Sequence, residues 1–360
     1  MDKKYKIGII VKDFLSKEKT GIENYLVNLL ATIPKYNSNQ NIFYIYTTDK
    51  DLKIKNYIVR YVKPTISWMH TDLPIAIFKD KLDLIFSPIP SLPLLSNKIK
   101  KVITVHDLSF EYMDNKKNKM FSKYFILKAI KSADKIVAVS NFTKDQILKN
   151  SKISKDKIEV IHEAFNKNIF KQKKVKKDKK FFKILCVGTL TKRKNFTHII
   201  KTLPIIEDKI GDTIITIVGK SGDDFQHIKS TIEDLKAKGK VNITGYVSDT
   251  RLTTLYNNHD VFVYASKEEG FGIPILEAFN CKIPVVTSTT SATKEIAEDA
   301  AIFVDPNSIF NIAKGIIMAN NKRDMLIEKG YRIVKKYSWD KMTEQTIALF
   351  YKTLNPYVEN

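Results

Sequence analysis

Residues 269–278 read EGFGIPILEA, so two carboxylates, Glu269 and Glu277, flank a Gly-Phe-Gly bend that runs into a proline. The residue types alone allow three uses. They could be the general acid and base of a hydrolase, a pair of acceptors holding a polar ligand, or two solvated acids on an ordinary turn. The context narrows the geometry. The stretch follows the β-rich run VFVYAS (261–266), which places it at the carboxyl end of a strand. Gly270 and Gly272 permit a sharp bend and a close approach of backbone to ligand. Pro274 suits the first turn of a helix, where a missing N–H has no intrahelical partner. Such a helix start directs orphan N–H groups and the positive end of its dipole outward, where an anion such as diphosphate would be held. Glu277 then lies about one turn into the helix, and Glu269 before the bend.

The elements that must position this stretch recur along the chain. β-rich runs alternate with helical stretches nearly from end to end, the pattern of parallel sheets covered by helices. In the first half the strands are predicted at 5–11, 41–47, 57–62, 82–87, 101–106, 135–140 and 158–163. The stretch GIENYLVNLLATI has the apolar period of a helix. Residues 171–180, KQKKVKKDKK, are basic and aperiodic, as expected of a solvated linker. Strands are predicted again at 182–190, 213–219, 241–245, 261–266, 284–288 and 301–305. Ser248 and Ser338 stand as N-caps before two helical stretches. The domains expected are thus 1–170, a linker at 171–180, 181–337, and a last helix at 338–360. Two doubly wound α/β domains in series bind ligands beyond the carboxyl ends of their strands, so the cleft between them is the expected site.

The bulk numbers exclude several classes. A chain of 360 residues exceeds what one core usually organises. No run approaches the roughly 20 apolar residues of a membrane span. The start of the chain, MDKKYKIGIIVKDF, is not a signal peptide, and two distant cysteines in apolar segments fit a reducing cytoplasm rather than a zinc site. The net charge of +22 invites anionic partners, but the lysines are scattered, and no nucleic-acid recognition motif is present.

The segment SKEEGFGIPILEAFNCKIPVVTS resembles the signature of the retaining glycosyltransferases of family four, which have the GT-B fold. The likeness continues through GYVSDTRLTTLYNNHDVFVYAS upstream and ATKEIAEDAAIFVDP downstream. VGTLTKRKNF (187–196) resembles the family's phosphate-binding segment, TVHDLSF and VAVSNFTKDQI its N-terminal motifs, and YSWDKMTEQTIALFYKTL the helix that crosses back to the first domain. The resemblance implies roles for the matching positions. Glu277 would accept hydrogen bonds from the donor's ribose, and Glu269 from the transferred sugar. The Gly270-Phe271-Gly272-Ile273 backbone would donate to sugar and phosphate, with Pro274 setting the first turn of the donor-binding helix. Lys194 and Arg193 would neutralise the departing diphosphate; without the flanking motif they would read as a solvated basic loop in a lysine-rich protein. His106, after the strand KVITVH, would touch the donor sugar near the reacting carbon by its carbonyl or its ring. Gly21 would bring a second helix start to the phosphates.

Two positions depart from the family pattern. Thr20-Gly21 stands where many relatives have paired glycines, and Thr189 stands where many have arginine, so Arg193 is expected to supply that cation. Metal use is not expected. Asp49-Lys50-Asp51 reads as a solvated turn, and cations with helix starts supply the counter-charge. The stretch 116–132, KKNKMFSKYFILKAIKS, reads first as a helix covering the sheet with its aromatics inward. The other arrangement turns Met120, Phe121, Tyr124, Phe125 and Lys128 toward anionic lipid, a peripheral contact on the inner membrane face. The expectation overall is a cytoplasmic, retaining, metal-independent hexosyltransferase without cofactor. Its donor would be a nucleotide-sugar, GDP-mannose first, and its acceptor a glycan or lipid-linked hydroxyl. Another GT-B enzyme (an epimerase or phosphorylase) or a non-catalytic polyanion binder is the alternative.

Overall fold

The computed structural model describes residues 4–11, 21–38, 40–65, 67–93, 98–108, 110, 116–175 and 180–355. The chain forms two compact units, residues 1–163 with 338–360, and residues 164–337. In the first unit the strands are β1 (Lys6–Val11), β2 (Ile42–Thr47), β3 (Ile58–Tyr61), β4 (Leu84–Ser87), β5 (Lys100–Val105), β6 (Lys135–Ala138) and β7 (Ile158–Val160). They form one sheet in the order β3-β2-β1-β4-β5-β6-β7, every pairing parallel. The second unit holds β8 (Phe182–Val187), β9 (Thr213–Val218), β10 (Val241–Gly245), β11 (Val261–Tyr264), β12 (Val285–Ser288) and β13 (Ala301–Val304). Its order is β10-β9-β8-β11-β12-β13, again all parallel. Each predicted strand window thus coincides with one observed strand, β5 starting one residue before its window, in two Rossmann-like sheets of the same winding.

Helices cover both faces of the first sheet because its strands are apolar on both sides. Ile7, Ile9 and Val11 of β1 enter a core beneath the helices Gly21–Tyr36 and Trp339–Leu354, which contribute Leu29, Ile33, Ile347 and Phe350. Ile10 enters the opposite core, with Leu73, Ile77, Ile130 and Ile147 from three other helices. The last helix therefore belongs to the first unit. Ser338 caps it by accepting the Lys341 N–H at 3.1 Å. Ser248 caps Asp249–Asn258 in the same way, through Arg251.

The change of unit comes earlier than the basic run. The second unit begins at Ala164, and side-chain amides hold the backbone that follows. Asn280 donates to the Phe170 carbonyl at 2.5 Å, and Asn257 binds Lys171 and Lys173 at 3.1 and 2.7 Å. Residues 176–179 of the run lie outside the described residues.

At the switch point of the second sheet, β8 lies between β9 and β11, and the chain winds away in both directions. Two crest glycines make the backbone approach possible there. Gly188 and Gly219 have φ of +152° and +155°, and a Cβ on Gly219 would stand 1.9 Å from the Gly188 carbonyl oxygen. Gly219→Ala is therefore expected to destabilise the protein by more than about 4 kcal/mol, read as a lowered thermal midpoint or loss of folded material. Gly211→Ala is the control, since its φ is +107° but nothing lies within 4 Å of the added carbon. Equal losses in the two variants would show that crowding at the crest is not the cause.

Candidate functional site

The segment after β8 turns through Lys192–Lys194, a short 3-10 turn closed by Asn195 in the left-handed region at φ +62°. Asparagine tolerates that conformation better than most residues. Its amide then anchors the turn, donating to the Ala265 carbonyl at 3.0 Å and the Pro306 carbonyl at 2.7 Å. The Lys267 N–H donates to the Arg193 carbonyl at 2.9 Å. The basic turn is thus stitched to the crest of the neighbouring strand β11. Gly188 leaves room for the Lys194 stem, because a Cβ there would stand 3.0 Å from Lys194 Cδ and Cε.

Three charges meet at that seam. Arg193 Nη1 donates to Glu269 Oε2 at 2.8 Å and to the Glu268 carbonyl at 2.6 Å. Lys194 Nζ donates to Glu269 Oε1 at 2.7 Å and to the Tyr264 hydroxyl at 2.7 Å. Their side chains are only 18%, 12% and 8% exposed for Arg193, Lys194 and Glu269. Burial works to raise the Glu269 carboxyl, but the Lys194 and Arg193 charges outweigh it and lower it to about 2. Two cations share one carboxylate, so the group carries one positive charge in excess.

Downstream, Gly270, Phe271 and Gly272 are buried. Gly272 caps the helix Ile273–Asn280 at φ +111°, and Pro274 sits in its first turn. The Phe271 ring packs edge-on against Tyr337, so this residue offers its backbone rather than its side chain. Glu277 is buried on the same helix, and Tyr256 donates to its Oε2 at 3.0 Å. Burial raises its carboxyl to about 8, with the Asp249 charge adding and the Tyr256 hydrogen bond opposing. The two glutamates of EGFGIPILEA therefore stand in opposite states near neutrality, Glu269 ionised and Glu277 largely protonated. Thr189 is exposed, and its carbonyl accepts from the Thr191 N–H at 2.7 Å.

In the first unit, His106 follows β5 with both ring nitrogens engaged. Nδ1 lies 2.8 Å from Glu163 Oε1, and Nε2 lies 2.8 Å from the Pro88 carbonyl oxygen. Burial would lower its pKa, but the Glu163 hydrogen bond and charge raise it. Tyr25 meets the ring edge-on at 5.0 Å. The ring is thus committed within its own unit, and the backbone carbonyl accepts from the Thr143 hydroxyl at 3.4 Å. Gly21 opens the helix Gly21–Tyr36, and nothing lies within 4 Å of a Cβ placed there. Thr20 lies outside the described residues. Asp49 accepts the Asp51 N–H at 3.0 Å, a local turn, and no group of three or more metal-ligating side chains occurs among the described residues.

The second unit thus gathers Arg193, Lys194 and Glu269 beside the bend and helix that carry Gly270 to Glu277, whereas His106 and Gly21 belong to the first. Sequence reasoning missed Asn195, which anchors the basic turn, Tyr264 and Tyr256, which hold Lys194 and Glu277, and Glu163, which holds His106. Asn195 had a usable signal, an asparagine closing a basic turn between strand and helix. The tyrosines and Glu163 had none, because their partners lie far off in sequence.

Two family models cover most of the chain. Residues 20–168 match Glycosyltransferase Family 4, and residues 167–333 match Glycosyl transferases group 1. The O-antigen chain mannosyltransferase RfbU of Salmonella typhimurium is 31% identical over 255 residues, 71% of this chain and 69% of that one. Among solved structures, a sucrose-phosphate synthase of Thermosynechococcus elongatus superposes with a TM-score of 0.81 at 15% identity, over 98% of this chain and 100% of that one. Alr3699/HepE of Anabaena, in complex with UDP-glucose, superposes with a TM-score of 0.73 at 16% identity, over 97% and 100%. At such identities the superpositions speak for the fold, and the sequence matches for the kinship. The chain belongs to the group 1, family-four glycosyltransferases, with two Rossmann-like units of the GT-B kind.

Proposed function

We propose that the protein transfers a mannosyl or similar hexosyl group from a nucleotide-sugar, GDP-mannose first, to a hydroxyl of a glycan or lipid-linked acceptor, with retention and without metal or other cofactor. The observation that carries this reading is the buried Arg193–Glu269–Lys194 group, two cations on one carboxylate, beside the start of Ile273–Asn280. Similarity to an O-antigen chain mannosyltransferase supports the sugar, and a fold shared with a protein solved with UDP-glucose supports an activated donor.

The residues divide the work by charge. Lys194 and Arg193, with the positive end of the helix that starts at Ile273, stabilise the diphosphate as it gains negative charge in leaving. Glu269, ionised throughout, accepts from hydroxyls of the transferred sugar and holds both cations in place. Glu277 accepts from the ribose hydroxyls. The bond from the anomeric carbon to the phosphate oxygen breaks, and the acceptor oxygen bonds to that carbon on the same face. The acceptor proton passes to the leaving phosphate oxygen. The counter-charge a metal supplies elsewhere comes here from side chains and a helix dipole.

Three outcomes test the reading in a turnover assay over GDP-mannose, dTDP-sugars and UDP-sugars. Lys194→Ala should lower turnover by about 10²- to 10³-fold, the usual cost of removing a transition-state donor. Near wild-type rates would contradict the assignment. Activity should persist in EDTA, and complete loss restored by Mg²⁺ or Mn²⁺ would refute metal independence. The third outcome is thermodynamic. Glu277 binds its proton more tightly folded than unfolded, its pKa raised from 4.5 to about 8. The stability this gives is full below about 4.5 and is lost as pH rises through about 8. Unliganded Glu277→Gln, which cannot ionise, should therefore melt above the wild type near pH 8 and level with it near pH 4.5. It should also bind donor more weakly, since an amide has one acceptor oxygen where a carboxylate has two. A melting difference that does not vary with pH would contradict the buried-acid account.

A further inference from the structure

Unlike Glu269, Glu277 is a buried carboxyl without a cation. It is 8% exposed, and among the described residues its side chain has a single hydrogen-bond partner, the Tyr256 hydroxyl 3.0 Å from Oε2. The one charge that acts on it, Asp249, has the same sign. A carboxyl so placed stays neutral, because an unpaired buried charge is costly. Tyr256 is itself fixed. It is 1% exposed, with Phe262 edge-on at 5.4 Å and Phe170 edge-on at 6.1 Å between ring centroids. Its hydroxyl also stands 3.3 Å from the Pro274 carbonyl oxygen. A phenol has one proton to donate, so it cannot serve Glu277 and Pro274 fully at once. Two settings follow. With Glu277 protonated, the acid donates to the phenol oxygen and the phenol donates to the Pro274 carbonyl. With Glu277 ionised, the phenol turns its proton to the carboxylate.

We propose that Tyr256 is a positioning residue that holds Glu277 for the donor's ribose and exchanges hydrogen-bond partners with it, so that donor binding releases a proton. The proposal rests on the donor reading above, which brings ribose hydroxyls to Glu277. Two hydroxyls donate best to a carboxylate, which accepts on both oxygens, whereas the acid commits one oxygen to its own proton. The Glu277 O–H bond breaks, the proton passes to solvent, and the Tyr256 O–H swings from Pro274 to the carboxylate. The titratable groups around Glu277 are Asp249 and Tyr256 on Asp249–Asn258, Tyr264 on β11, and Cys281 beyond its own helix. Burial pushes both phenols far up and the Cys281 thiol up to about 12, and Lys173 acts on Cys281 rather than on Glu277.

The test is calorimetric titration with GDP, UDP and dTDP in buffers of different ionisation heat, which counts the protons released on binding. At pH 8 the free diphosphates are already ionised, while Glu277, raised to about 8, is about half protonated. The diphosphate that binds should therefore release about half a proton per site, and its affinity should tighten as pH rises toward that point. Its dideoxy form, lacking both sugar hydroxyls, should bind without release, and Glu277→Gln should bind the parent diphosphate without release. Tyr256→Phe keeps the ring but loses a hydrogen bond to a charged group, so it should bind about tenfold more weakly. It should nevertheless release more, toward one proton per site, because the lost hydroxyl favours the ionised form. A merely structural role would weaken binding and leave the count where it was. Binding without release, equal release in Glu277→Gln, or a count not raised in Tyr256→Phe would overturn the proposal alone. Failure of all three diphosphates to bind would overturn the donor reading and the proposal with it. A melting curve checks the fold of each variant, and the dideoxy comparison needs only the wild type.

Discussion

The charge balance among Arg193, Lys194 and Glu269 constrains everything around it. Removing an ion from water costs several kcal/mol, so buried charges persist only when paired and hydrogen-bonded. Here a single carboxylate serves two cations, one on each oxygen. Removing Glu269 would strip both buried cations of this shared carboxylate, and breaking such a group typically costs about 3–5 kcal/mol. That demand explains the surrounding geometry. Lys194 needs the space that Gly188 leaves, the basic turn needs the anchors that Asn195 makes, and Glu269 must follow the strand next to β8. Adjacent strands at a topological switch point are what bring the two segments together.

The same electrostatics separate two residues that the sequence presents as a symmetrical pair. Glu269 and Glu277 are both buried, and burial raises both carboxyls. The difference lies in their neighbours. Glu269 has two cations within 3 Å, whereas Glu277 has a tyrosine hydroxyl and the charge of Asp249. Pairs with divergent pKa values can serve as acid and base. Here the ionised member is locked between two cations and has little tendency to take a proton. Glu277, by contrast, has its carboxyl raised by burial and by the Asp249 charge, with the Tyr256 hydroxyl as its hydrogen-bond partner. Hydroxyl binding suits both residues better than proton shuttling.

How much of this was legible depended on range. Strand windows, the helix starts at Gly21 and Ile273, and the serine caps rest on interactions within a few residues, and sequence expresses these directly. Contacts that close over long loops left no mark. Glu163 reaches His106 across 57 residues, and Tyr256 reaches Glu277 across 21. The Lys116–Ser132 helix was misread for a different reason. Its aliphatic stripe, with Ile130 buried against the sheet, is separate from its aromatic stripe, where Met120, Phe121 and Tyr124 are exposed, and apolar content alone does not tell which stripe the sheet covers. The unit boundary moved upstream of the basic run because asparagine amides from distant helices claim the backbone near Lys171, a bond that composition cannot express.

His106 carries this reasoning furthest. The Pro88 carbonyl can only accept, so Nε2 must donate to it. Nδ1 faces a carboxylate, whose charge and hydrogen bond raise the pKa of the ring against the effect of burial. The arrangement therefore favours an imidazolium that donates from both nitrogens. Such a ring has no lone pair with which to accept a proton, and general-base work is closed to it. What His106 retains is a fixed position, a positive charge shared with Glu163, and a main-chain carbonyl at the crest of β5. This is consistent with a transfer in which the leaving phosphate itself takes the acceptor's proton. The side chain that looks most like a base in the first unit has both ring nitrogens engaged within that unit.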